Sequence, residues 1–329
     1  MRVAVVGLGA VGIRAARQLA STPEVEALLL RDPRSGRADE VAAAIGAVAR
    51  VDHTTELPDT DVVVLAGPCR TQLALARDAV AKGCHVVSVS DDVGDVKALL
   101  ELGPEAEARG VSVIAGASFA PGLSCVLAAH AAGSLDRVEE IHSAALGTGG
   151  PACAVQHHAA LGGRAIEWRD GGWLRTPSGS GRELCWFPEP VGAADCYRGA
   201  LPGPLLLVPA FPGIARVTAR VAATRRDRLT GRLPMLRPPH PEGGVGAVRV
   251  EARGWRGSVS DTVVLGVMDR PAVAAGAVAA LAAVSAGSGS VRRRGAGGLA
   301  ELIEPLSFLH ELARRGVKAA VFEGRSLFA

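Results

Sequence analysis

Short, almost unbroken apolar runs alternate with segments of helical periodicity through the first third of the chain. Arg2 to Val6, Val25 to Leu30, Asp61 to Leu65, His85 to Ser90 and Val111 to Ala115 each read as a strand buried on both faces, and a weaker one falls near Ala47 to Val51. Helical spacing fills the intervals: Ile13 to Ala20, Ala38 to Ile45, Thr71 to Lys82, and Val93 to Arg109 with an interruption at Gly103 and Pro104. Parallel neighbours require crossover connections, so these repeated units predict an α/β fold, a doubly wound parallel sheet with helices on both faces, ending near Gly122.

The pattern changes from Leu123. A helix through Ala132 and a strand at Val138 to Leu146 precede a turn-rich stretch, Gly147 to Gly213, dense in Gly, Trp and Pro. Ile214 to Ala222, Val245 to Gly254 and Ser258 to Met268 are longer and partly alternating, as in an antiparallel or mixed sheet with one covered face. Pro271 to Val291 is uncharged but mostly Ala, Gly and Ser, too weakly apolar for a membrane span and suited to a tightly packed core helix. A last helix runs from Leu299 to Arg315. The expected organisation is a dinucleotide-binding domain over 1–122, rejoined by the C-terminal segment 299–329, and a second α+β domain over 123–298 that binds substrate and supports a homodimer.

Composition narrows the function classes. A chain of 329 residues has room for two cores, and its formal net charge of +3 leaves no nucleic-acid footprint. The six cysteines form no CxxC pair and lie mostly in apolar surroundings, which predicts buried thiols in a reducing compartment and no metal site. The amino terminus has no charged, cleavable leader, so a cytoplasmic location is expected.

The candidate chemistry begins where the first strand runs into GLGAVG, with Gly7, Gly9 and Gly12 in the GxGxxG spacing. Gly7 is expected to make the tight turn, Gly9 to admit a pyrophosphate, and Gly12 to pack the helix on its strand, with Ala10 and Val11 offering N–H donors. Asp32 ends the second strand, 20 residues after Gly12, where a carboxylate accepts the ribose hydroxyls of NAD. Arg31, Arg34, Ser35 and Arg37 crowd the same loop, and guanidinium with hydroxyl is what a 2′-phosphate requires, so NADP is favoured over NAD. Three further strand ends point to the same crevice: Gly67-Pro68-Cys69, Ser90-Asp91-Asp92, and Ser118 through Pro121 and Gly122. Asp92 also suits a helix N-cap.

The order GLGAVG, DVVVLAGP, KGCHVVSVSDD and GVSVIAGASFAPGLSCVLA resembles the saccharopine dehydrogenase-like NAD(P)-dependent oxidoreductases. The resemblance extends through WRDGGWLR, CWFPEPVGAADCYRG and GGLAELIEPLSFLHELARRGV, and so over most of the chain. Ser88 and Ser118 depart from it, standing where the family pattern has Asp and Gly. It implies a second domain inserted after the Rossmann unit, a last helix returning to that unit, and hydride transfer to or from carbon, often at a C–N bond of an amino-acid adduct.

Such chemistry needs a proton donor or acceptor titrating near neutrality. The only lysines, Lys82, Lys97 and Lys318, lie away from the strand ends, and Leu201 four residues after the single Tyr197 excludes a Tyr-x-x-x-Lys pair. The candidates are therefore His157 and His158, whose side chains point about 100° apart on a helix, together with Asp91 and Tyr197. Arg164 or Arg198 could fork a substrate carboxylate, and Trp168, Trp173 and Trp186 could wall its cavity. The expected activity is NAD(P)-dependent hydride transfer on a small amino-acid-derived imine, amine or carbonyl compound. Two alternatives are reduction of a larger or carrier-bound intermediate and a non-catalytic nucleotide-binding sensor or subunit.

Overall fold

The computed structural model describes every residue except 55, 236–239, 242, 318 and 323–329. The first layer contains β1 (Arg2–Val6), α1 (Ala10–Ala20), β2 (Ala27–Arg31), α2 (Arg37–Ile45), β3 (Ala49–Val51), β4 (Val62–Leu65), α3 (Leu73–Ala81), β5 (His85–Ser88), α4 (Val93–Leu100), α5 (Gly103–Ala108) and β6 (Ser112–Ile114). Every strand pairs in parallel, with Val3 beside both Leu28 and Val62, and β4 is buried along its whole length. Strands buried on both faces explain why this region reads as apolar runs without alternation. The expected interruption of the fourth helix is real: Pro104 sits in the first turn of α5.

The second layer is built from α6 (Leu123–Ala132), β7 (Arg137–Leu146), α7 (Pro151–Ala160), β8 (Arg164–Arg169), β9 (Gly172–Pro177), β10 (Glu183–Trp186), β11 (Ala193–Arg198), α8 (Gly203–Leu207), β12 (Arg216–Ala222), α9 (Arg225–Thr230), β13 (Gly246–Arg256) and β14 (Val259–Asp269). The sheet is mixed, in the order β10-β11-β12-β7-β13-β14, with β8 and β9 as an added hairpin beside β12. Among the described residues only the β12–β7 pair of this sheet is parallel. The stretch 147–213 is therefore not simply turns: its Gly and Pro residues punctuate four short strands and two helices, each too brief to show a clear period in the sequence.

The chain then returns to the first layer. α10 (Pro271–Gly287) packs on α1, and β15 (Gly295–Gly297) extends the first sheet beside β6. This return begins at Pro271, earlier than the expected 299. The expected closing helix is broken into α11 (Leu299–Leu302) and α12 (Pro305–Arg314), because Pro305 cannot continue a helix and Glu304 starts a new one as its N-cap. The last described strand, β16 (Ala319–Phe322), pairs with β14. Lys318 and the end of the expected 299–329 segment lie outside the described residues. Two separate cores were expected, but the main apolar cluster is continuous: Val63 and Ile114 of one sheet, Val248 and Val267 of the other, and α6 and α10 all belong to it. No helix among the described residues is long and apolar enough to cross a membrane.

Candidate active site

Between the carboxyl ends of β1, β4 and β5 and the start of α7 lies a cavity of about 480 Å³. Its floor is the glycine turn. Gly7 has φ +96°, and a Cβ there would stand 2.5 Å from the Gly67 nitrogen. At Gly12 a Cβ would overlap the Gly7 carbonyl oxygen, whereas at Gly9 it would meet no atom within 4 Å. The empty position is the one that faces the cavity, beside Ala10 and Val11 at the start of α1. Unpaired N–H groups at a helix start favour an anion there.

Asp32 accepts backbone N–H bonds from Leu8 at 2.6 Å and from Arg34 at 3.0 Å. The Arg34 guanidinium also grips both carboxylate oxygens, at 2.8 and 2.9 Å. Burial alone would raise the carboxyl, but these donors hold it down at about 2. Arg34 and Arg37 line the cavity, while Arg31 turns away to pair with Asp52. Ser35 is exposed and does not reach the cavity wall.

Gly67, Pro68, Cys69 and Ser90 line the same space, as does Ser118. Buried Asp95 anchors this wall: it accepts the Arg70 N–H at 2.8 Å and the Ser90 hydroxyl at 2.7 Å. Ser88 donates to Gln72 at 2.6 Å, and Gln72 donates to the Gly67 carbonyl at 3.0 Å, holding the Gly-Pro turn from behind. Asp92 is the N-cap of α4, accepting from Gly94 and Asp95, as expected. Pro121 lines a smaller hollow of about 20 Å³ that adjoins His157.

At the inner end of the cavity the two layers bring polar groups together. Asp91 Oδ2 lies 3.8 Å from His157 Nε2 and 3.8 Å from the Cys153 thiol, and the Cys69 thiol donates to Oδ1 at 3.7 Å. Burial raises the Asp91 carboxyl and lowers the His157 imidazole, and it also raises both thiols, Cys69 to about 12. Cys153 was not among the residues singled out in the sequence. Its spacing from His157, four residues on one helix face, was a usable signal.

Other expected site residues lie elsewhere. His158 points to the far side of α7, where Nε2 faces the carbonyl oxygens of Thr230 at 2.8 Å and Leu233 at 3.1 Å. Tyr197 is 1% exposed in a small apolar cluster with Leu161 and Val221, under the Arg228 guanidinium, which removes it from the catalytic candidates. Arg198 is held by Glu167 at 2.8 Å and Arg164 is exposed at the start of β8, so neither offers a fork to the cavity. Trp168 and Trp173 stack edge-to-face 5.0 Å apart on the β8–β9 hairpin, and Trp186 is 61% exposed, so the tryptophans do not wall the site.

Residues 1–114 match the family model Gfo/Idh/MocA, described as an oxidoreductase family with an NAD-binding Rossmann fold. Over the whole chain the structure is similar to apo saccharopine dehydrogenase (L-Glu forming) from Saccharomyces cerevisiae, with TM-score 0.71, 16% identity, and coverage of 98% of this chain and 99% of that one. It is also similar to amine dehydrogenase from Mycobacterium smegmatis (TM-score 0.53, 13% identity, 92% and 96% covered). A third is GenD2 from gentamicin A biosynthesis in complex with NAD (TM-score 0.50, 17% identity, 98% and 96% covered). At these identities the likeness is one of fold. The glycine turn and the family match over residues 1–114 define an NAD-binding Rossmann domain of oxidoreductase type, and the whole chain shares the fold of saccharopine dehydrogenase.

Proposed function

We propose that this chain is an NADP(H)-preferring reductase or dehydrogenase that transfers hydride to or from a small amino-acid-derived imine, amine or carbonyl compound. His157 moves the accompanying proton, and Asp91 orients it. The observation that carries this reading is the Asp91–His157 pair, 3.8 Å apart, in which Asp91 lines the cavity that begins at the glycine turn and His157 stands behind it on an adjoining hollow. A bound nicotinamide would supply or accept the hydride. The chain itself supplies N–H donors at Ala10 and Val11, cationic groups at Arg34 and Arg37, and an imidazole for the proton.

The preference for NADP rests on Arg34 and Arg37 facing the cavity and on Asp32 being already held by Arg34. A homodimer is part of the proposal, supported by Leu184 and Trp186, 56% and 61% exposed on the edge strand β10. Fluorescence titration with NADPH and NADH, followed by turnover on a panel of imines, amines and keto acids, tests the function. Tighter NADPH binding with turnover on a small C–N or C=O substrate is expected. Binding without turnover on any member of the panel would refute catalysis.

A further inference from the structure

We propose that Asp91, Cys153 and His157 form a binding site for a borderline-soft divalent cation of the zinc class, with one coordination position open toward the cofactor cavity. The donor atoms of the three side chains all lie within 4.8 Å of one another. Cys153 and His157 project from one face of α7, and Asp91 reaches them from the end of β5, so the site joins the two layers. Tetrahedral zinc with sulfur at about 2.3 Å and nitrogen or oxygen at about 2.0–2.1 Å places its ligands about 3.3–3.6 Å apart. The two separations of 3.8 Å from Asp91 Oδ2 need a contraction of about 0.2–0.5 Å, and the Cys153–His157 separation, within 4.8 Å, one of at most about 1.2 Å.

The donor set has the right chemistry. Thiolate, imidazole and carboxylate are the zinc ligands, and three of them with a vacant fourth position are the pattern of sites that also bind an exogenous molecule. Cys69, whose thiol contacts the other Asp91 oxygen, lies next to the group but outside the set of mutually close donors, so the fourth position stays open. The groups touching the Asp91 carboxylate are two thiols and an imidazole. The helix supplies its two ligands at the i, i+4 spacing that puts them on one side. A bound cation occupies the His157 nitrogen that faces Asp91, so the loaded site blocks the proton transfer of the proposed function, and the inference concerns binding and not turnover.

Cobalt titration tests the site. The full chain, stripped with a chelator, is titrated with Co2+ and then with Zn2+ while the absorption spectrum is followed. One equivalent of Co2+ should produce a sulfur-to-cobalt charge-transfer band and the intense visible bands of tetrahedral coordination, and Zn2+ should abolish both. Cys153→Ser should remove the charge-transfer band, and His157→Asn should weaken affinity at least about tenfold. Cys185→Ser, which alters a buried thiol of the second sheet, should leave both unchanged. Thermal unfolding of each variant establishes that it is folded, and either ligand variant alone carries the test if the other is not. A weak octahedral cobalt spectrum, or a charge-transfer band that persists in Cys153→Ser, would overturn the proposal. Neither result would bear on NADPH binding, which is measured separately.

Discussion

Replacing Gly9 by alanine should separate cofactor binding from folding. Gly9 has φ −75° and ψ −165°, extended backbone that alanine adopts without strain, and an added Cβ meets no atom within 4 Å. The substitution should therefore leave stability unchanged or raise it by up to about 1 kcal/mol, through the reduced freedom of the unfolded chain. The same Cβ occupies the space assigned to the pyrophosphate. Losing one charge-assisted hydrogen bond there costs about 1.5–3 kcal/mol, equivalent to about a 10- to 150-fold weaker affinity. Gly12→Ala should behave in the opposite way. Its Cβ overlaps the Gly7 carbonyl oxygen and lies 3.2 Å from the Ala66 Cβ, so backbone must shift. Overpacking of this kind costs about 1–3 kcal/mol, or roughly 1.5–4 °C in Tm for a chain of this length. Fluorescence titration with NADPH and differential scanning calorimetry on both variants provide the assay. If Gly9→Ala binds NADPH as the parent does at unchanged Tm, the turn is not the cofactor site and the reasoning fails.

Three further outcomes follow from the site. His157→Asn should lower kcat by about 10²- to 10⁴-fold, while His158→Asn should leave kcat within a few-fold and cost about 1 kcal/mol of stability, as steady-state kinetics and denaturant unfolding would show. Arg34→Ala should weaken NADPH binding about tenfold or more while leaving NADH unchanged or tighter, because Asp32 is then released to the ribose; equal losses for both cofactors would contradict the assigned preference. Burial lowers the His85 imidazole from 6.5 to about 4, and its Nδ1 accepts the Ser112 N–H at 3.0 Å. The unfolded chain takes up that proton first, so this contribution is present above pH 6.5 and is lost as pH falls toward about 4. Urea unfolding across that range should show the decline, and His85→Gln should flatten it.

The cofactor half was legible because backbone geometry dictates it. A buried parallel strand must be apolar on both faces, and a phosphate turn must carry glycine where the chain bends and packs, so β1, Gly7, Gly9 and Gly12 announce themselves. Ladder and cap followed the same logic at β4, β5 and Asp92. Residues 147–213 were less legible, since strands of four to six residues separated by Gly and Pro leave no measurable period. Helical phase decided which of two adjacent histidines meets Asp91, and nothing local to either one states where the first sheet will stand. Tyr197 and Arg198 show the same limit from the other side: both are chemically able, but the mixed sheet turns one into its core and pairs the other with Glu167. Cys153 was overlooked because its partner Asp91 is 62 residues away in sequence.

A structure of the NADP+ complex tests the central claim most directly. The account predicts the pyrophosphate on the N–H groups at the start of α1, the 2′-phosphate against Arg34 and Arg37, and the nicotinamide C4 facing the Asp91–His157 pair. A dinucleotide bound outside the cavity, or a nicotinamide ring turned away from that pair, would contradict it.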